Sequence, residues 1–255
     1  MGRVIAIVNQ KGGVGKTTTA VNLSAALAIR GSSVLLVDVD PQASATSGVG
    51  IRLSLGEPST YEVLLGQTSA EEAVRKTMLP TLQVLPASRD LVGAEIELVG
   101  LERREQRLKE ALAALRWRYD YVVIDCPPSL GLVTLNALTA SDSLLIPLQC
   151  EYYALEGLTA LLETVGLVRE SLNPDLAIEG LLLTMFDGRN ILCRQVAEDV
   201  RTHFPDKVFG TIVPRNVRLS ESPSHGLPAL LYDPSSRGAV AYTELAREVH
   251  SQISS

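Results

Sequence analysis

Three glycines, Gly12, Gly13 and Gly15, follow the apolar run "VIAIV" at residues 4–8, and Lys16, Thr17 and Thr18 come directly after them. A helical pattern then begins. Glycines in that setting let successive backbone N–H groups turn inward around an anion, and the helix N-terminus adds a favourable dipole. With Val14 between them, these residues fit the phosphate-loop pattern G-x-x-x-x-G-K-[ST] at every position but the first, where Gln10 stands. In such a loop the lysine neutralises the β and γ phosphates of a nucleoside triphosphate, and the hydroxyl binds Mg²⁺. Lys11 is a second lysine for which the pattern has no use. On residue type alone it is either a further phosphate-directed charge or a solvated one.

Magnesium needs carboxylates, and two later strands supply them. "SVLLVDVD" ends in Asp38 and Asp40, and "YVVIDC" carries Asp125 at the end of its apolar run. An acid that closes a buried strand beside a phosphate loop is a metal-site signature, with Asp125 expected to act through water because Mg²⁺ dehydrates reluctantly. Many ATPases place a glutamate just after this aspartate to orient the attacking water. Here that position is Cys126. Asp40, in the polar exit "DPQ", is the nearest alternative for that task.

Positioning these groups requires strands that end together. Continuous apolar runs begin at Val4, Ser33, Leu82, Tyr121, Ser143, Ile178 and Val208, and helical spacing fills residues 18–30, 92–117, 154–172, 192–203 and 236–253. Runs without alternation imply burial on both faces, so the alternation predicts a mostly parallel, twisted sheet covered by helices on both sides. This is the fold class of phosphate-loop NTPases, with ligands beyond the carboxyl ends of the strands. No repeat or linker divides residues 1–255, which predicts a single domain; the irregular stretch 41–60 reads as a surface excursion. The 46% hydrophobic content supports a full core, and no apolar run reaches the roughly 18 residues of a membrane span. A cytoplasmic location follows as the expectation. A net charge of −6 argues against a globally basic nucleic-acid binder but not against a local basic patch. The three cysteines are too scattered to suggest a disulfide framework or a CxxC metal site.

Taken together, "KGGVGKTT", "LLVDVDPQ", "YVVIDCPPSLG", "PRNVRLSESPSHG" and "YDPSSRGAVAY" resemble the ParA/Soj type of chromosome-partitioning ATPase, a deviant Walker A group within the MinD/ParA superfamily. The likeness spans nearly the whole chain. It implies ATP and Mg²⁺ as cofactors and an ATP-dependent homodimer in which two nucleotides lie face to face. Lys11 corresponds to the signature lysine that reaches the partner's phosphates, Asp40 to the water-activating residue, and Gly12 to an interface position that tolerates no side chain. Pro214 to Asn216 correspond to the adenine-facing segment; Met185, near the end of the apolar run from Ile178, reads either as packing on the base or as a core methionine. Arg189 and Arg218 are the matched basic positions for nonspecific binding of double-stranded DNA. A centromere-binding protein of the ParB/Spo0J type is the implied activator, the nucleoid the implied location, and a replication initiator is left open as a further partner. The chain opens on the strand before the phosphate loop, so the helix-turn-helix extension of larger plasmid relatives is not expected.

Two rival readings share the loop and the acids. A MinD-like ATPase that cycles on and off a membrane would end in a basic, apolar amphipathic helix, whereas "ELAREVHSQISS" is too polar for stable membrane binding. An iron–sulfur reductase or scaffold ATPase would need cysteines that bridge two subunits, and Cys126 sits beside the metal aspartate instead.

Overall fold

The computed structural model describes residues 2–251. In chain order its elements are β1 (Arg3–Ile7), α1 (Lys16–Ile29), β2 (Val34–Asp38), α2 (Ser44–Gly48), α3 (Thr60–Leu65), α4 (Ala70–Ala73), β3 (Arg75–Lys76), β4 (Leu82–Leu85), α5 (Leu91–Glu97), α6 (Arg107–Ala113), β5 (Tyr121–Asp125), α7 (Leu132–Ala140), β6 (Ser143–Gln149), α8 (Ala154–Ser171), β7 (Ala177–Phe186), α9 (Ile191–His203), β8 (Val208–Pro214), α10 (Val217–Glu221), α11 (Ala229–Tyr232) and α12 (Arg237–Ser251). The strands form one sheet in the order β3-β4-β2-β5-β1-β6-β7-β8. Every pairing is parallel except that of the short edge strand β3 with β4.

The unbroken apolar runs explain the burial. Alternate side chains of each inner strand enter different cores: Val4, Ala6, Leu35, Val37, Val122 and Ile124 face one side with α7 and α8, while Ile5, Ile7, Leu36 and Val123 face the other with α1 and α12. Because β1 lies between β5 and β6 while the chain runs first to β2 on the far side of β5, the order reverses around β1. A crevice therefore opens at its carboxyl end, where ligands of open α/β sheets bind.

Two sequence expectations fail here. The helical pattern of residues 92–117 is not one helix but α5 and α6, separated by a 3-10 turn and a reversal in which Arg103 adopts φ 52°. Asn136 of α7 holds the break, accepting from the Leu108 N–H at 3.0 Å and donating to the Arg104 carbonyl at 2.7 Å. The stretch 41–60 is not simply a surface excursion either, since α2 forms within it and buries Ala45 and Thr46.

Candidate active site

Gly13 and Gly15 have φ of 75° and 91°, conformations that side-chain-bearing residues rarely adopt, so the loop between β1 and α1 depends on them. Space for a Cβ is open at Gly12 and Gly13, as expected of a surface that faces a ligand or another chain. The loop is anchored from outside: Val14 is buried, and its carbonyl accepts a 2.8 Å hydrogen bond from the Thr184 hydroxyl on β7. Lys16 is the first residue of α1, and its ammonium folds back to the Lys11 carbonyl at 3.1 Å. Burial lowers the Lys16 pKa, while the charge of Asp125 works the other way.

Asp38 and Asp125 are register partners on the adjacent parallel strands β2 and β5, and Asp125 is also in register with Ile7 of β1 at the foot of the phosphate loop. Both carboxylates are fully buried, but their surroundings differ. Asp38 accepts from the Thr46 N–H at 2.8 Å, the Thr46 hydroxyl at 2.7 Å and the Asp40 N–H at 3.1 Å. Even so, burial pushes its pKa up to about 6. Neither oxygen of Asp125 has a hydrogen-bond partner. Burial first, and the Asp38 charge second, hold its pKa well above the carboxylate range; the Thr17 hydroxyl draws it back without completing a bond. An orphaned, buried carboxylate is costly unless something else completes it. A hard cation beside Thr17 is the group that this donor set fits.

These contacts divide the three acids. Asp38 spends its oxygens on Thr46 and the Asp40 backbone, so its visible work is to fix the turn into α2, while both oxygens of Asp125 stay buried and unpartnered. Asp40 is 9% exposed and uses one oxygen to accept from the Gln42 N–H at 2.9 Å, which sets the turn that carries it. Cys126 is buried, and burial pushes its thiol far up, so it stays protonated and does not act as a base. Thr46 was not anticipated from the sequence, since a threonine in an irregular stretch carries no local signal of a contact eight residues away.

Met185, Pro214 and Asn216 are distant in sequence but line one cleft of about 270 Å³ together with Gly15, Thr18 and Tyr242. Met185 has φ 48°, an uncommon conformation for a residue with a side chain. The Asn216 side-chain oxygen accepts from the Arg218 N–H at 3.0 Å and caps α10, which leaves its amide available to a ligand. Arg215, which also lines the cleft, was not singled out from the sequence.

Lys11 is not free. Its ammonium makes a 2.5 Å ion pair with Glu151, just after β6. The two arginines are likewise paired. Arg189, with a 92% exposed side chain, grips Asp187 at 3.0 and 2.9 Å, and Arg218 contacts Glu221 at 2.8 Å and Asp233 at 3.2 Å. Such exposed pairs are weak, so phosphate oxygens can compete for either guanidinium.

Comparison with known proteins bears on this geometry. A family model described as an AAA domain, AAA_31, matches residues 2–178. The sporulation initiation inhibitor protein Soj of Bacillus subtilis (strain 168) is 60% identical over 249 residues, 98% of each chain. The chromosome partitioning protein ParA of Myxococcus xanthus is 57% identical over 98% of this chain and 88% of its own. Among solved structures, cobyrinic acid a,c-diamide synthase from Mycobacterium smegmatis with bound ATP analog and magnesium superimposes with a TM-score of 0.84 at 41% identity, covering 97% of this chain and 93% of the other.

Proposed function

The chain belongs to the Soj/ParA family of chromosome-partitioning proteins, and on that premise we propose that it is a magnesium-dependent ATPase whose ATP-bound dimer holds DNA without sequence preference. The observation that carries this reading is the orphaned Asp125 carboxylate beside Thr17, at the foot of a glycine loop open to a ligand. Asp125 and Thr17 would hold Mg²⁺ there, which would supply positive charge against the negative charge of the phosphates. Asp38 steadies the neighbouring loop. Lys16 exchanges the Lys11 carbonyl for the chain's own phosphates. The base lies in the cleft formed by Met185, Pro214 and the Asn216 amide.

Asp40 orients the attacking water, the role for which Cys126 is unsuited. Lys11 leaves Glu151 and crosses to the partner's phosphates, acting in trans much as an arginine finger does. Without a glutamate after Asp125, unstimulated turnover is slow. A ParB/Spo0J-type partner accelerates it through a short basic segment, to which a chain of net charge −6 is complementary. Arg189 and Arg218, released from their acidic neighbours, contact the DNA backbone. The membrane-cycling reading has less support, because α12 spends its apolar face, including Tyr242, Leu245 and Val249, on the core.

Size-exclusion chromatography with light scattering on an Asp40→Ala variant tests the proposal. With ATP the variant should accumulate as a dimer that ADP does not form, and hydrolysis should be lost. A variant that stays monomeric with ATP, or that hydrolyses at the parent rate, refutes it.

A further inference from the structure

The outward face of α5 is apolar. Val92, Ile96 and Val99 run from α5 into the 3-10 turn Leu98–Gly100 and are 66%, 78% and 56% exposed. Their i, i+4 and i+7 spacing puts them on one side of the helix as a continuous stripe about 10 Å long at 1.5 Å per residue. Apolar residues grouped in this way at a surface mark an interaction site, which single exposed ones do not. The stripe is held from below: Leu91, Ala94 and Leu98 are buried in the core, and the Glu95 carboxylate accepts from the Leu132 N–H at 2.8 Å and the Val133 N–H at 3.3 Å, tying α5 to the first turn of α7. It is formed before any partner arrives.

Charge around the stripe is one-sided. From Asp90 to Glu102 the chain carries Asp90, Glu95, Glu97 and Glu102 and no basic residue. By helical spacing Glu95 borders the stripe on one side and Glu97 on the other. Beside α5 packs α3, which adds Glu62, and the Tyr61 hydroxyl joins the two helices by donating to Glu97 at 2.8 Å. Among the described residues none of these five acids is in an ion pair; they accept only from N–H and O–H groups and keep their charge. The guanidiniums of the flanking segments are fewer and partly spent, Arg103 on Glu110, Arg104 on Glu105 and Arg107 on the Leu64 carbonyl, which leaves Arg89. We propose that this face of α5 is the docking surface for a basic amphipathic helix of a partner protein. The stripe takes the apolar face of such a helix, and the bordering carboxylates take the lysines or arginines beside it. Like charge disfavours the other occupants: a second copy would set the same acids against each other across a two-fold axis, and DNA or an anionic membrane would meet them with phosphate. This deepens the reading above by giving a basic segment a surface, and it rests on that reading only for the identity of the protein that carries the segment.

The test is made without nucleotide, by the fluorescence anisotropy of a labelled leucine–lysine peptide of about four helical turns whose leucines recur every three or four residues. A peptide of the same composition in scrambled order and a leucine–glutamate counterpart serve as comparisons. The amphipathic lysine peptide should bind the full chain saturably and more weakly as salt is raised, and both comparisons should bind about tenfold more weakly or worse. Ile96→Lys should weaken binding about tenfold or more, whereas Leu167→Lys, the same charge change at an exposed position of α8, should bind as the parent does. Both replaced side chains are exposed, so both variants should keep the parental Tm, and ATP-driven dimerisation of Ile96→Lys reads the earlier proposal separately. Absence of saturable binding, equal effects of the two variants, or a scrambled peptide that binds as well overturns the docking surface. Dimers of the parent that form without nucleotide and are lost in Ile96→Lys overturn it in favour of a second copy.

Discussion

Replacing Asp125 by asparagine should stabilise the protein without ligands while removing its response to magnesium. The wild-type side chain is fully buried, has no hydrogen-bond partner and lies in register with a second buried acid. Asp38 gives the scale: despite three hydrogen bonds its pKa moves from an ordinary 3.8 to about 6, which at 1.36 kcal/mol per pH unit corresponds to about 3 kcal/mol of folding stability. Asp125 lacks those bonds. Neutralising it should return about 1–3 kcal/mol, or about 2–4 °C in Tm for each kcal/mol in a chain of this size. The sign with pH follows from linkage. A carboxyl whose folded pKa is raised holds its proton in the folded state and loses it in the unfolded state, so apo stability falls as pH rises above 3.8 toward the folded pKa. The asparagine variant lacks that slope for one group, so its advantage should widen with pH and vanish at or below 3.8. Thermal unfolding of both proteins across pH, with EDTA and then with Mg-ATP, reads both effects. At a hundred times Kd, Mg-ATP stabilises a one-site protein by about 2.7 kcal/mol, and the variant should gain less than the parent. A variant less stable than the parent in EDTA, or one with an undiminished Mg-ATP shift, would refute the assignment of Asp125.

The two lysines should fail differently. Lys16→Ala should abolish tight ATP binding in equilibrium dialysis, while Lys11→Ala should bind ATP nearly as the parent does yet remain monomeric in light scattering; equal affinity losses would sink the trans role. Thr46→Val removes the hydroxyl that donates to Asp38 and accepts from the Ala87 N–H at 2.9 Å, so chemical unfolding should report a loss of about 2–4 kcal/mol. DNA affinity should fall linearly with log salt at about −0.9 per phosphate contact, and Arg189→Ala or Arg218→Ala should lower both affinity and slope on every sequence alike. An altered base preference in either variant would contradict backbone binding.

The phosphate loop, the acids at strand ends and the doubly covered parallel sheet were legible from the sequence because their signals are local. Three glycines before Lys16, aspartates that end apolar runs, and runs without alternation each report on a few neighbouring residues. Other features depend on residues brought together across the chain. Asp38 is occupied because α2 returns Thr46 to it. Lys11 is restrained by a glutamate 140 positions away. Arg189 and Arg218 read as free charges in a string of letters, yet each has an acid within reach in the folded chain. The break after α5 is held by Asn136 of α7, a contact that helix propensity does not record. Periodicity and glycine placement fix local conformation, whereas burial, ion pairing and the orphaning of a carboxylate depend on which distant groups the sheet order sets side by side.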